Sequence, residues 1–238
     1  RAATPRSTHP REAPIARETV KEFRSKDTWT IFRIMAEFVE GFETLGPIWP
    51  AVSVFGGARA PVDSETYRLG REIGRSLGRE GFAVITGGGP GAMEAANRGA
   101  HEVEAPSIGL NIKLPFEQHD NGYADTAIHF DYFFVRKVMF VKYACAFVML
   151  PGGFGTLDEM FECLTLKQTG KCRDIPVILV GSDYWSGLIG WLETRVLEMG
   201  MIAKKDLKLF SLVDSSEEAC RLVKEGWERM RQESPEGA

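Results

Sequence analysis

Cysteine and histidine are scarce in this chain of 238 residues, with four of each. Cys145, Cys163, Cys172 and Cys220 form no CxxC pair, and His9, His101, His119 and His129 form no HExxH or Cys/His spacing. Neither a disulfide framework nor a metal site is therefore expected, and the thiols read as reduced residues of a cytoplasmic protein. Positive charge is not in excess either: the formal net charge is −4, which argues against a nucleic-acid partner. No apolar run reaches the length of a membrane span and no signal-peptide pattern is visible, so no membrane partner is expected. Two nucleotide fingerprints are also missing. G-x-x-x-x-G-K-[ST] does not occur, and Gly170–Lys171 falls at a helix end rather than after a strand. The first glycine turn reads Gly56–Gly57–Ala58–Arg59 and the second strand ends at Thr86–Gly87, so both G-x-G-x-x-G and the acidic ribose ligand of a dinucleotide site are lacking. No bound cofactor is expected.

What is present is a regular alternation. Hydrophobic residues make up 44% of the chain, enough for a sizeable core. Almost wholly apolar segments at 51–55, 82–86, 106–112, 127–130, 147–150, 175–181 and near 209–213 read as strands. Amphipathic segments at 64–79, Pro90 to about Glu102, 132–144, 156–168, 183–199 and 215–232 read as helices. Asp27 or Thr28 could cap an additional helix through Phe42, with Ile31, Phe32, Ile34, Met35, Phe38 and Val39 as its apolar stripe. Apolar strands alternating with helices predict an α/β fold: a Rossmann-like, doubly wound parallel sheet with an added N-terminal helix. The expected organisation is a mobile arm over 1–26, in which a helix could begin near Glu18, one domain over 27–232, and a disordered tail over 233–238.

In such a sheet ligands bind beyond the carboxyl ends of the strands, where three glycine-rich turns should converge: GGARA, GGGPGAME and PGGFGTLDE. The third is the most telling. Gly152, Gly153 and Gly155 leave the backbone bare at a helix N-terminus, where free N–H groups and the helix dipole favour an anion, and Thr156 stands beside them. One short cradle suits a monophosphate better than a dinucleotide. Glu159 has two readings. Thr156-x-x-Glu159 has the spacing of a capping box, in which the carboxylate only satisfies a backbone N–H. Alternatively, an ionised Glu159 faces the bound molecule as a base or charge stabiliser. Arg136 and Lys137 stand early in their helix, where cations oppose the dipole, and this placement points to a ligand or carboxylate partner.

GGGPGAMEAANRGA (87–100), YFFVRKVMFVKYA (132–144) and PGGFGTLDE (151–159), in this order and spacing, closely resemble the LONELY GUY (LOG) family, also labelled lysine decarboxylase-like. The resemblance covers roughly residues 27–220 and departs at Gly57, where a serine would be expected. It implies a homo-oligomer, a homodimer or larger with its active site near the interface. The implied activity is hydrolysis of nucleoside 5′-monophosphates, AMP or cytokinin riboside 5′-monophosphates, to free base and ribose 5-phosphate. On this resemblance Arg136 and Glu159 are the catalytic candidates. Gly152, Gly153, Gly155, Thr156 and Lys137 are candidates on the phosphate and ribose side, and Gly88, Gly89, Met93 and Glu94 on the nucleoside side. Arg59 and the loop 113–125, with Phe116 and Tyr123, could also reach the base. Two alternatives stay open: a carrier of a nucleotide or phosphate cofactor on the same fold, as in molybdenum-cofactor carrier proteins, and true lysine decarboxylation, which needs a pyridoxal phosphate lysine.

Overall fold

The computed structural model describes residues 17–114 and 120–233, with side chains from Thr28 onward. Seven strands, β1 (Ala51–Phe55), β2 (Ala83–Thr86), β3 (Ser107–Ile112), β4 (Thr126–Phe130), β5 (Ala146–Met149), β6 (Val177–Val180) and β7 (Ser211–Val213), form one sheet in the order β4-β3-β2-β1-β5-β6-β7. Every pairing is parallel. The strands β1, β2, β3, β5 and β6 are buried along their whole length, whereas the edge strands β4 and β7 keep exposed positions. Burial on both faces explains why the central strands are continuous apolar runs.

The helices α1 (Arg17–Leu45), α2 (Glu65–Arg79), α3 (Ala92–His101), α4 (Phe133–Lys142), α5 (Phe154–Gln168), α6 (Ser182–Trp191) and α7 (Ser216–Glu233) cover both faces. On one face Phe55, Ile85 and Phe147 of the sheet pack with Val135, Met139 and Phe140 of α4, Met160 and Cys163 of α5 and Trp185 of α6; Ile34 and Phe38 of α1 lie against them. On the other, Val52, Val54 and Val148 meet Leu69, Ile73 and Leu77 of α2, the alanines of α3, and Ala219 and Val223 of α7. Sheet residues alternate between the two cores because the side-chain period of a strand is two. The faces of α2 and α3 meet without space for side chains: a Cβ on Gly74 would stand 2.1 Å from the Ala96 carbonyl oxygen.

From β1 the chain winds outward through β2, β3 and β4, then crosses to β5 and winds the other way. Strand order therefore reverses between β1 and β5, whose last residues Phe55 and Met149 are paired in register. That is where a doubly wound sheet opens a crevice for ligand.

Several boundaries shift by a few residues. The first helix begins at Arg17, one residue from the start read near Glu18, so residues 17–26 of the expected arm are helical. The helix expected over 183–199 is α-helical only to Trp191 and continues as a π-helical turn over Leu192–Leu197. Residues 1–16, 115–119 and 234–238 lie outside the described residues, and with them Phe116. All four cysteines are free, and no helix among the described residues is long and apolar enough to cross a membrane.

Candidate active site

The turns after β1 and β5 are tied together at the crevice. Gly57 donates its N–H to the Pro151 carbonyl at 2.9 Å and accepts from the Ala92 N–H at 3.0 Å, linking three glycine-rich segments through one residue. Space there is tight: a Cβ on Gly57 would meet the Gly152 Cα and the Pro151 carbonyl oxygen at 3.3 Å each.

The capping-box reading of Thr156 is corrected by the structure. The helix opens two residues earlier, with Gly153 as its N-cap and no side-chain cap. Its first backbone bond from an open turn runs from the Leu157 N–H to the Gly153 carbonyl at 3.0 Å. The N–H groups of Phe154, Gly155 and Thr156 are thus the unpaired donors of the first turn. Thr156 and Glu159 lie one turn apart on the inward face of α5, 5% and 4% exposed. Glu159 caps nothing. Across the turn, Tyr184 of α6 donates its hydroxyl to the Gly152 carbonyl, a buttress that sequence reading missed because the two residues are 32 apart.

Arg136 reaches the same region from α4. Its guanidinium carbon lies 5.4 Å from the ring centre of Phe133 and 5.5 Å from that of Phe140, residues three before and four after it on the same helical face. Its Nη1 donates to the Leu110 carbonyl at 3.4 Å. Among the described residues, two buried side-chain atoms lack any hydrogen-bond partner: Arg136 Nε and Glu159 Oε2. Buried polar atoms are otherwise almost always paired, so these two atoms are open to a further polar partner.

Electrostatics couple the pair without closing it into an ion pair. Burial pushes the Glu159 carboxyl up to about 7, with attraction to Lys137 and Arg136 offsetting only part of that rise. Burial thus opposes the expectation that a helix N-terminus keeps this carboxylate ionised. Burial likewise lowers the Arg136 pKa, opposed by Glu159 and Asp158.

Lys137 is held by two neighbouring carboxylates. Its Nζ lies 2.9 Å from Asp158 Oδ2 and 2.5 Å from Glu162 Oε2, bracing α4 against α5. Burial alone would lower its pKa, but the two carboxylates raise it, so this lysine is held protonated and is unsuited to form a Schiff base.

The second glycine turn borders Arg136. A Cβ on Gly87 would stand 2.7 Å from Met93 Sδ and 3.8 Å from Arg136 Nη1, so Met93, Gly87 and the guanidinium are neighbours. Gly88 adopts φ +70°, and its N–H donates to Thr86 Oγ1 at 3.0 Å. Asn121 donates to the Gly89 carbonyl and to Asn97 Oδ1, each at 3.0 Å. Asn111, with its amide oriented to donate, reaches the Gly87 and Gly88 carbonyls. These asparagines went unassigned in the sequence, although Asn111 is a polar residue inside an apolar strand. Glu94 is drawn away to α2, accepting from the Tyr67 hydroxyl at 2.7 Å. Tyr123 packs back on α3, under Arg98 and beside His101, and Arg59 is exposed.

A parallel α/β sheet whose glycine turns converge beside a buried carboxylate and guanidinium defines a Rossmann-like protein with an open helix N-terminus at its switch point. Comparison with known proteins makes this particular. A family model described as "Possible lysine decarboxylase" matches residues 93–223, and the chain belongs to this family, the LONELY GUY (LOG) family. It is similar to the cytokinin riboside 5′-monophosphate phosphoribohydrolase of Mycobacterium tuberculosis, 30% identical over 170 residues that cover 69% of this chain and 88% of that protein. An Arabidopsis thaliana phosphoribohydrolase named the same way is 26% identical over 178 residues, 73% of this chain and 81% of its own. Among solved structures, the molybdenum cofactor binding protein of Rippkaea orientalis matches with a TM-score of 0.57 and 24% identity, covering 74% of this chain and 96% of that one, a likeness of fold.

Proposed function

We propose that this protein is a hydrolase that cleaves the N-glycosidic bond of nucleoside 5′-monophosphates, AMP or cytokinin riboside 5′-monophosphates, to free base and ribose 5-phosphate. The observation that carries the reading is the pair of buried, unpartnered atoms on Arg136 and Glu159 beside the open first turn of α5. The N–H groups of Gly155 and Thr156, with Gly152 and Gly153, take the phosphate. The sugar then lies toward Glu159 and Arg136, and the base toward Gly87 to Gly89 and Met93. As the C1′–N bond breaks, its electron pair leaves with the base, which takes up a proton from solvent, and positive charge develops on the ribose. The Glu159 carboxylate stabilises that charge and takes a proton from the water whose oxygen bonds to C1′. Arg136 holds the carboxylate and the ribose in register. Lys137 serves by bracing α4 on α5, and Glu94 by fastening α3 to Tyr67.

Chromatography of bases released from a panel of nucleoside monophosphates tests this. Free adenine or a cytokinin base is expected in equal amount to ribose 5-phosphate. Binding of AMP with no base released over hours would replace the hydrolase by a carrier.

The assembly we propose is a homodimer or larger, with the active site near the contact. Phe134 and Val138 are 50% and 40% exposed on α4, the helix of Arg136, and Trp29, Phe32, Met35, Val39 and Phe42 make an exposed apolar stripe on α1. At the end of α4, the Tyr143 ring lies 6.3 Å from that of Phe42. Apolar exposure on neighbouring helices is characteristic of interfaces. Light scattering is expected to give at least twice the chain mass of 26.5 kDa, and a lower mass for Phe134→Glu with Val138→Glu. A monomeric wild type would exclude the assembly.

A further inference from the structure

Glu37 stands on the inward stripe of α1, alongside Ile34, Phe38 and Gly41, where the helix packs on α4. It is 8% exposed, a charged residue where the pattern calls for an apolar one. Its Oε1 accepts the Asp131 N–H at 2.8 Å and its Oε2 the Tyr132 N–H at 3.4 Å. Tyr132 is the N-cap residue of α4, and no local side chain caps that helix. The carboxylate of α1 therefore holds the chain entering α4, taking the N-cap N–H as the glutamate of a capping box does elsewhere, but from 94 and 95 residues away in sequence. One turn further along α1, a Cβ on Gly41 would lie 2.7 Å from Met139 Cε, so the two helices are in close contact at both points.

The contacts of Arg136 give this clamp its importance. Its hydrogen bond to Leu110 is long, and its Nε has no partner. The two rings that face its guanidinium belong to α4 itself and move with it. Few contacts outside α4 thus hold the guanidinium, and its place relative to Glu159 on α5 follows from how α4 is docked. The Arg136 N–H bonds to the Tyr132 carbonyl at 3.3 Å, so the turn that Glu37 caps is the turn that carries Arg136.

We propose that Glu37 is a positioning residue: by capping α4 from α1 it sets the first turn of that helix and so aligns Arg136 with Glu159. The proposal rests on reading Arg136 and Glu159 as the hydrolytic pair. It gives α1 a role in the reaction besides its place in the core.

The test combines steady-state kinetics on AMP with hydrogen exchange at the amides of Asp131 and Tyr132. For Glu37→Ala, kcat is expected to fall about tenfold to a hundredfold, because small misplacements of a catalytic group are costly. KM stays within about twofold, since the phosphate cradle on α5 is untouched. The two amides should exchange at least about tenfold faster. Placed on an Arg136→Lys background, the same change should cost less than about twofold more, because an already misplaced cation has little alignment to lose. Wild-type kcat in Glu37→Ala, or a full multiplicative loss on the Arg136→Lys background, overturns the proposal. Should Glu37→Ala not fold, Glu37→Gln decides: with one acceptor left it should lose about threefold to tenfold in kcat at unchanged KM, and wild-type kcat overturns the proposal. A wild-type protein that releases no base from any monophosphate sinks the hydrolase reading instead, and the exchange rates still decide whether Glu37 holds α4.

Discussion

Replacing Glu159 by glutamine is expected to lower kcat for base release by about a thousandfold while raising the melting temperature at alkaline pH. The first effect follows from charge. Glutamine has nearly the same shape but can neither accept the proton of the attacking water nor offset positive charge on the ribose. The second follows from burial. The side chain is 4% exposed, its Oε2 has no partner, and desolvation holds its pKa at about 7. A carboxyl whose folded pKa lies above the unfolded one contributes stability that is complete below the unfolded value and is lost as pH rises through the folded value. The wild type therefore loses stability relative to Glu159→Gln between about pH 4.5 and about pH 7, on the order of 3 kcal/mol in all, and no more above that.

Calorimetry at about pH 5 and about pH 8 separates this from a general effect of the substitution: the two melting temperatures should nearly coincide at the lower pH and differ by several degrees at the higher, with the variant above. A capping role predicts no such pH-dependent gain, because glutamine closes a capping box as glutamate does. The same ionisation governs the rate. Wild-type kcat should climb with pH to a plateau, with an apparent pKa at or above about 7 because a bound phosphate opposes ionisation further. That limb should be absent from the residual activity of Glu159→Gln. An unchanged limb in the variant would assign the titration to another group.

The sheet was legible because its central strands are buried on both faces and so appear as unbroken apolar runs. β1 was placed to the residue and β2 within one. The helix after β5 was misread at its start for a definite reason. Spacing i, i+3 serves two purposes: it links the ends of a capping box, and it places two residues on one face of a helix already under way. Thr156 and Glu159 do the second, and Met160 and Cys163 continue the same buried face. Only the position of Gly153 distinguishes the two, and a glycine N-cap carries no side-chain signal. The convergence of Arg136 with Glu159 was legible through family motifs. The remaining contacts of the site are long-range: Glu37 to Tyr132, Tyr184 to Gly152 and Asn121 to Gly89 join positions from 32 to 95 apart, which no local pattern encodes. Nor does sequence give desolvation. Glu159 was expected to stay ionised near a helix N-terminus, and its raised pKa arises from burial.

Substituting Arg136 should separate the two members of the pair. In Arg136→Lys, kcat/KM is expected to fall by about a hundredfold or more, because the planar guanidinium between the Phe133 and Phe140 rings has a fork that an ammonium cannot copy. In Arg136→Met the loss should be at least as large, yet the fold should not suffer at about pH 6, where Glu159 is mainly protonated: a buried cation with an unpaired Nε is replaced by an apolar chain of similar length. The kinetic signature lies in the pH profile. Arg136 and Lys137 both lower the Glu159 pKa, so removing the arginine leaves the lysine alone against desolvation, and the rising limb of kcat moves to higher pH. Loss of the limb would mean that the rise of rate with pH does not come from ionisation of Glu159. A limb that stays in place would mean that the two side chains do not sense each other. A shift upward, with the melting temperature preserved, is the outcome that only an electrostatically coupled pair produces.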